Sequence, residues 1–252
     1  MSFGDTLAAL GVRDDSLSTE EKALLDRQGF LVLPNVMSDD WRASLQAQFD
    51  ELVAKEGAAA GHEVHTEAGT KRLADLVNKS PSFDGVWTYP KLLACVHHIL
   101  KRPFKLSSLN AREPLQGAGQ QPLHADWDRR KADEPFHVVN SMWLVDAFTG
   151  DNGCTRVVPG THAGAKTAQE ELDDPKAPHP EEIVLTAPAG SVVVINAHLW
   201  HGGTSNRTGA HRRVIHCYFT AKEHPQQLDQ AEYIRKRTWD RLSPAAREIL
   251  DV

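Results

Sequence analysis

Three side chains with metal-binding chemistry stand out in the sequence: His124, Asp126 and His201. His124 and Asp126 lie two positions apart in a segment with strand-like character. Side chains two apart on a β-strand project from the same face, so an imidazole and a carboxylate would converge on one ion. A third ligand must then come from a distant strand, and His201 is the best candidate. The spacing predicts a metal site built from two separate stretches of chain.

This set of ligands has two ordinary uses in proteins. On one face of an octahedral metal it leaves coordination positions open, as in non-haem Fe(II) oxygenases. A catalytic zinc ion can also use two histidines and one carboxylate, so the ligand types alone do not identify the metal. The chain has 13 histidines. A chance surface pair is therefore the alternative interpretation of His124 and Asp126 when they are taken alone.

Arg212 adds a second kind of chemistry, eleven residues after His201. A strand, a turn and a return strand would bring its guanidinium back beside the metal. A buried guanidinium needs an anionic partner, because an unpaired buried charge is very costly. A dicarboxylic co-substrate would supply that partner through bidentate hydrogen bonds. Arg213 is the alternative, but strand alternation places it on the more apolar face with Ile215.

The elements that position these residues are short strands. Turn residues separate them, and the pair Asn152-Gly153 between two of them is a hairpin signal. Short, numerous strands with turns between them favour an all-β sandwich or barrel over residues 104–220. The predicted strands are 104–111, 122–127, 137–147, 154–158, 183–187, 191–196, 199–202 and 211–220.

Helices are predicted on both sides of this β region. The capping box Ser18 to Glu21 starts a helix that ends at Gly29. Ser38 and Pro90 start two more, and Ser243 caps a last short helix near the C-terminus. We expect one domain over residues 1–252, with mainly helical support at 18–103, a β core at 104–220 and a helical tail at 221–252.

Three segments between these elements are read as irregular. Residues 1–17 show little periodicity and are predicted to be a loose leader. Residues 57–70 are predicted to be a loop in which His62 and His65 are solvated. The acidic, proline-containing insert 163–182 is predicted to be a surface loop or a lid.

Composition limits which kinds of molecule the protein is expected to bind and in which compartment it is expected to work. The net charge is -6, with both signs mixed along the chain, so we expect no nucleic-acid partner. We find no secretory leader and no apolar run of membrane-spanning length, which predicts no membrane partner. Cys95, Cys154 and Cys217 are interpreted as buried free thiols in a reducing cytoplasm. The sequence leaves the oligomeric state open.

Taken together, four segments resemble the phytanoyl-CoA dioxygenase-like (PhyH) family of Fe(II)/2-oxoglutarate-dependent oxygenases. The combination is far more specific than any one part, and it spans about residues 20–220. The segments are Glu20-Glu21 with Asp26 to Val36, His124-Ala125-Asp126-Trp127, Asp151-Asn152-Gly153 through Pro159-Gly160-Thr161-His162, and His201-Gly202-Gly203 with Asn206 and Arg212.

The resemblance implies a fold, a reaction and cofactors. The fold is a double-stranded β-helix (jelly roll, cupin-like), mainly β, buttressed by N- and C-terminal helices. His124, Asp126 and His201 would be Fe(II) ligands, and Arg212 would bind the distal carboxylate of 2-oxoglutarate. With O2 as the other co-substrate, the reaction would oxidise a small-molecule substrate, most simply by hydroxylation, and release succinate and CO2. Halogenating relatives replace the carboxylate ligand, so Asp126 favours hydroxylation, desaturation or ring closure.

Three further residues are implied at the co-substrate pocket. Trp143 and Asn110 occupy positions at which similar proteins have pocket residues, although a core tryptophan is an equal alternative for Trp143. Several relatives have a serine two residues after the distal histidine. Gly203 stands there in this chain, so either the contact is missing or Thr204 supplies it. The family pattern selects His201 rather than His198 as the distal ligand.

The sequence does not identify the substrate. The basic loop Arg129-Arg130-Lys131 could receive an anionic substrate if it folds over the pocket, and a solvated loop is the alternative. Two other functions stay open. One is a non-catalytic β-helix domain that binds a small molecule, and the other is a zinc- or manganese-dependent cupin-type isomerase or hydrolase. Neither would need all of His124, Asp126, His201 and Arg212.

Overall fold

The computed structural model describes residues 2–131 and 133–252, and two antiparallel sheets form its centre. The larger sheet has the strand order β1-β7-β4-β9-β3-β2, and the smaller one has the order β6-β5-β8. The strands are β1 Phe30–Leu33, β2 Thr70–Leu73, β3 Phe104–Pro114, β4 Val138–Leu144, β5 Thr155–Val157, β6 Ile183–Val184, β7 Val192–Asn196, β8 His201–Gly203 and β9 Val214–Ala221.

Among the described residues, two α-helices precede β1, five lie between strands and three follow β9. Three short 3-10 helices cover Gly57–Ala59, Pro81–Phe83 and Thr161–Ala163. The α-helices are α1 Phe3–Ala9, α2 Thr19–Gln28, α3 Asp39–Glu56, α4 Leu76–Lys79, α5 Asp84–Trp87, α6 Pro90–Leu100, α7 Ala168–Glu171, α8 Gln230–Tyr233, α9 Lys236–Arg241 and α10 Pro244–Leu250. Among the described residues, no helix has both the length and the apolar character needed to cross a membrane.

One face of the larger sheet packs against the helices, and the other face lines a cavity. Strand alternation on β9 sends Ile215, Cys217 and Phe219 into the main hydrophobic core beneath the helices. The alternate residues His216 and Tyr218 face a cavity on the other side. A second apolar cluster, which includes Met142 of β4 and Val157 of β5, fills the space between the two sheets. The architecture is the predicted jelly-roll type, with helices packed on the larger sheet.

The predicted helix boundaries in the first hundred residues are confirmed. Ser18 and Glu21 form a reciprocal capping box, and Gly29 ends α2 in the left-handed conformation with φ 81°. The hydroxyl of Ser38 caps α3, and Pro90 occupies the first turn of α6. Local capping chemistry is sufficient to define these ends because it depends on adjacent residues only.

The first residues of the chain are not a loose leader, contrary to the prediction. Ser2 and Asp5 form a capping box that starts α1, and Leu7 and Leu17 are buried in the main core. α1 packs against α10, so the first and last helices of the chain are neighbours. The prediction was wrong because seven residues are too few to show clear helical periodicity.

Three predictions for strands, loops and turns also require correction. Residues 122–127 do not form a regular strand, since only His124 makes a β-bridge and Asp126 lies in a bend. Thr70, the last residue of the predicted loop 57–70, begins β2, which continues to Leu73 on the edge of the larger sheet. Asn152-Gly153 is a turn but not a hairpin, because the strands on either side belong to different sheets.

The insert 163–182 packs on the outside of the smaller sheet. Ala168 lies in an apolar cluster with Leu123 and Trp200. The buried Arg156 of β5 donates hydrogen bonds to the carbonyl oxygens of Pro175 and Ala177 at 2.9 and 2.7 Å. Among the described residues, no member of this insert lines the cavity. The insert is therefore a surface loop that buttresses the smaller sheet, which is the first of the two predicted alternatives.

Candidate metal and co-substrate site

The side chains of His124, Asp126 and His201 converge at one end of the cavity. One ligand atom from each lies within 4.8 Å of the others. Oδ1 of Asp126 is 3.7 Å from Nε2 of His124 and 3.6 Å from Nε2 of His201. Metal–ligand bonds of 2.0–2.2 Å would place neighbouring ligands about 3 Å apart, so a small adjustment around an ion is enough. The three side chains fit a divalent transition metal.

Backbone carbonyls orient both imidazoles. Nδ1 of His124 donates to the carbonyl oxygen of Pro122 at 2.9 Å, and Nδ1 of His201 donates to that of Leu199 at 2.9 Å. These bonds fix the proton on Nδ1, so each Nε2 presents its lone pair to the cluster. Burial lowers the pKa of His201, although the Asp126 carboxylate opposes that shift. His201 is therefore held in the neutral form that a metal requires.

A reciprocal β-bridge brings the two histidines together. The amide of each donates to the carbonyl oxygen of the other, both at 2.9 Å, which adds His124 to the edge of the smaller sheet beside β8. Asp126 is placed by a bend, in which its amide donates to the carbonyl oxygen of Ala197 at 2.8 Å. The convergence follows from this bend and not from the strand alternation that the sequence suggested.

Arg212 lines the same cavity, and its guanidinium is incompletely paired. The residue is 1% exposed, and Nε and Nη1 have no hydrogen-bond partner among the described residues. The guanidinium carbon lies 4.5 Å from the centre of the Phe148 ring. Burial lowers the pKa of Arg212 to about 9, and Arg112 contributes to the shift. A buried cation with unused donors needs an anionic ligand.

Arg213, the alternative to Arg212, faces the other way. Its Nε donates to Asp146 at 2.8 Å, and its Nη1 donates to Asp50 at 2.8 Å. These bonds raise the pKa of Arg213, with the Asp146 hydrogen bond making the largest contribution. The structure thus leaves Arg212 as the arginine of this pair that is available to a ligand in the cavity.

Two proposed pocket residues lie elsewhere. Trp143 is fully buried in the main core, where its ring packs edge-on against Trp41 and Tyr89. The structure therefore agrees with the alternative interpretation, a core tryptophan, and the preceding residue, Met142, is the one that lines the cavity. Thr204 also falls outside the cavity lining, and its hydroxyl donates to the carbonyl oxygen of Cys154 at 2.9 Å.

Asn110 lines the cavity, but its amide nitrogen is already engaged. Nδ2 donates to Oγ of Ser108 and to Oε1 of Gln227, each at 3.1 Å. The Ser108 hydroxyl donates to the same Gln227 oxygen at 2.6 Å, a length typical of O–H···O bonds, which supports this orientation of the amides. Oδ1 of Asn110 is buried and has no partner among the described residues. Asn110 therefore offers the cavity an acceptor.

Several cavity residues were not identified from the sequence. The cavity of about 220 Å³ is also lined by His65, Arg72, Arg112, Asn140 and Gln227. Alternation with Asn110 on β3 could have indicated Arg112. His65 lies in the predicted loop 57–70, and Arg72 lies just beyond it in β2, for which no strand was predicted. The carboxylate of Glu67 joins the two arginines, accepting bonds from Nε of Arg112 and Nη1 of Arg72 at 2.8 Å.

The basic loop 129–131 is not part of the cavity lining. Arg130 is 5% exposed and donates to the carbonyl oxygen of Lys131 at 2.9 Å. Its guanidinium also lies 4.7 Å from the centre of the Phe136 ring. Arg129 is exposed and approaches Glu170 at 3.4 Å. The buried arginine in this loop serves local structure.

His198 is a buried histidine and predicts acid sensitivity of the metal-free fold. Its Nε2 accepts the amide of His137 at 3.0 Å, and burial lowers its pKa to about 3. Because the unfolded state then binds more protons below pH 6.5, stability falls as the pH drops, by up to about 2 kcal/mol between pH 7 and 5. Urea unfolding at both pH values should show a smaller loss for His198→Gln, whose amide oxygen does not titrate. An equal loss in both proteins would contradict this assignment.

The amino-acid sequence of this chain is similar to those of known dioxygenases. A family model described as Phytanoyl-CoA dioxygenase (PhyH) matches residues 25–214. The dioxygenase trt7 of Aspergillus terreus is 29% identical over 218 residues, covering 78% of this chain and 73% of that protein. The peroxisomal phytanoyl-CoA dioxygenase of Rattus norvegicus is 23% identical over 246 residues, covering 82% and 69% of the two chains.

The fold is also similar to that of solved structures. HygX from Streptomyces hygroscopicus, with nickel and 2-oxoglutarate bound, aligns with a TM-score of 0.70 at 18% sequence identity. The alignment covers 83% of this chain and 89% of HygX. At this identity the likeness establishes a common fold.

Proposed function

Because the chain belongs to the phytanoyl-CoA dioxygenase family, we propose that it is an Fe(II)- and 2-oxoglutarate-dependent dioxygenase. It oxidises a small molecule, most simply by hydroxylation, and releases succinate and CO2. One observation carries the proposal: a cluster of two histidines and an aspartate shares a cavity with an arginine that has unused buried donors. A metal and a dicarboxylate would satisfy both at once.

Each of these residues has a defined task in this proposal. His124, Asp126 and His201 hold Fe(II), and Arg212 binds the distal carboxylate of 2-oxoglutarate. The iron, when bound, supplies O2 activation coupled to oxidative decarboxylation of the co-substrate. Retention of the Asp126 carboxylate favours hydroxylation, desaturation or ring closure over halogenation. Structures of HygX with iron bound, and with nickel and 2-oxoglutarate bound, support a metal ion and 2-oxoglutarate as the ligands here.

The walls of the cavity suit a reaction that must be protected from water. Met142 and Ile195 supply apolar surface on the larger sheet. His216 lines the same cavity as the metal cluster and Arg212, and burial lowers its pKa well below the ordinary value. A neutral imidazole at this position does not compete with Arg212 for the co-substrate. The residues of the chain thus orient 2-oxoglutarate without adding a further positive charge at His216.

The two other functions make different demands on Arg212. A zinc- or manganese-dependent isomerase or hydrolase would use the metal cluster, but it would not require a free guanidinium in the same cavity. A non-catalytic binding domain would require neither the cluster nor the fixed imidazole tautomers. The buried and incompletely paired Arg212 favours the oxygenase.

Anaerobic titration of the metal-free protein with Fe(II) and 2-oxoglutarate tests the proposal. We expect the weak visible metal-to-ligand charge-transfer band of an iron–2-oxoglutarate complex, saturating at one equivalent of each. Succinate replacing 2-oxoglutarate is the matched control, because it keeps the distal carboxylate and lacks the keto group that gives the band. A folded, iron-loaded protein that gives no band with 2-oxoglutarate would overturn the assignment.

Asn110 is proposed to contact the oxidised substrate and not 2-oxoglutarate. Its free group in the cavity is the acceptor Oδ1, and the oxygens of 2-oxoglutarate at neutral pH are acceptors as well. The substrate would then carry an N–H or O–H group. We predict that Asn110→Ala changes the 2-oxoglutarate concentration needed for half of the charge-transfer band by less than about threefold. A tenfold increase in that 2-oxoglutarate concentration would show that Asn110 contacts 2-oxoglutarate instead.

A further inference from the structure

The carboxylate of Asp126 has its two oxygens in different environments. Oδ1 faces Nε2 of both metal-binding histidines, at 3.7 and 3.6 Å. Oδ2 accepts a hydrogen bond from Nδ2 of Asn140 at 3.0 Å. The opposite orientation of the Asn140 amide would put two acceptor oxygens at this distance, so the donor must be the nitrogen. One oxygen is free for a metal, and the other is occupied by the protein.

Asn140 is well placed to hold Oδ2 because it lies on a central strand. On β4 it pairs with Ile195 of β7 on one side and with Tyr218 of β9 on the other. The side chain is short, so this fixed backbone leaves Nδ2 little freedom. Oδ1 of Asn140 is buried and has no partner among the described residues. The hydrogen bond from Nδ2 to Asp126 is therefore the contact that orients the side-chain amide of Asn140.

The backbone of Asp126 is fixed independently of its carboxylate. The Tyr218 hydroxyl donates to the carbonyl oxygen of Asp126 at 3.0 Å, and the Asp126 amide donates to Ala197 at 2.8 Å. These two contacts set the position of the bend. Asn140 alone among the described residues sets the rotation of the carboxylate through a hydrogen bond to Oδ2. The two effects can be separated by mutation.

We propose that Asn140 is a positioning residue that keeps Asp126 a ligand through one oxygen. The inference rests on the proposed function and deepens it. A carboxylate that binds through both oxygens takes two coordination positions, whereas one oxygen leaves three of six positions open beside two histidines. 2-Oxoglutarate needs two of these positions and O2 needs one. A hydrogen bond on Oδ2 keeps that oxygen away from the metal.

The test compares Asn140→Leu with the wild type by titration with Co(II), followed by titration with 2-oxoglutarate, both monitored by the cobalt absorption bands. Leucine has nearly the shape of asparagine and lacks the donor. We expect Co(II) affinity to fall by roughly 10- to 100-fold, as is usual when the partner of a metal ligand is lost. We also expect 2-oxoglutarate to bind the cobalt-loaded variant at least about tenfold more weakly.

Tyr218→Phe is the matched control, because it removes a hydrogen bond to the same aspartate but leaves Oδ2 occupied. We expect less than about a threefold change in Co(II) affinity for this variant. Equal losses in the two variants would assign the effect to the bend and overturn the inference. Asn140→Ser is smaller, remains polar and is too short to reach Oδ2, so it gives the same comparison if the leucine variant folds poorly.

The outcomes also separate this inference from the proposed function. A wild type that binds no Co(II) at the cluster or no 2-oxoglutarate contradicts the function itself. A wild type that binds both, together with an Asn140→Leu variant that binds both equally well, contradicts only the role of Asn140.

Discussion

His201→Ala is expected to abolish the iron–2-oxoglutarate charge-transfer band. The variant loses the most buried of the three proposed ligands, whose side chain is 10% exposed. Fe(II) affinity should fall by more than the roughly 10- to 100-fold that loss of an outer partner costs. Anaerobic titration with Fe(II) at saturating 2-oxoglutarate measures the effect directly. The band should be absent at iron concentrations that saturate the wild type.

His198→Ala provides the control for this experiment. It removes a buried histidine only three residues away, and its Nε2 is bound to the His137 amide and not directed at the cluster. We expect this variant to lose stability and to keep the band. The reverse pattern, with the band lost in His198→Ala and kept in His201→Ala, would mean that the distal ligand is His198.

Arg212→Met should have the second largest effect, and the effect should fall on 2-oxoglutarate rather than iron. Truncating one partner of a buried charge pair costs about 2–5 kcal/mol of binding energy, or roughly 30-fold or more in affinity. The 2-oxoglutarate concentration for half of the band should rise accordingly, while Fe(II) binding is retained. Methionine preserves the contact with the Phe148 ring, so packing is disturbed little.

The stability of the ligand-free protein gives this prediction a second signature. Arg212 is a buried and incompletely paired cation, so its replacement should leave the free energy of unfolding unchanged or raised. Arg213→Met is the matched variant, since it leaves the Asp146 carboxylate without its arginine partner. This variant should be less stable than the wild type and should still bind 2-oxoglutarate. A loss of stability in Arg212→Met with normal 2-oxoglutarate binding would assign this arginine a structural role.

The sequence was most informative where a structural rule depends on neighbouring residues. Ser18 with Glu21 and Gly29 define α2 because capping groups lie within one helical turn of the backbone they satisfy. The alternation along β9 correctly separates His216 from Ile215, because the period of a strand is two. The ligand cluster could be proposed because its motif residues also matched a family pattern.

The errors arise where position depends on distant contacts. The sequence could not decide between a pocket and a core position for Trp143, because the register of β4 is set by pairing with β7 and β9. Thr204 turns outward because its hydroxyl bonds to Cys154, a partner fifty residues away. The Asn140 amide could not be linked to Asp126 from spacing alone, since a bend and not a strand places that carboxylate.

The mutual hydrogen bonds of His124 and His201 make two of the proposed metal ligands part of a sheet edge. An ion held by both imidazoles would oppose separation of the two backbones, because it would bind the paired arrangement more tightly than the open one. Local opening of this edge would in turn favour loss of the ion. Occupancy of the proposed site and stability of the smaller sheet would therefore be linked.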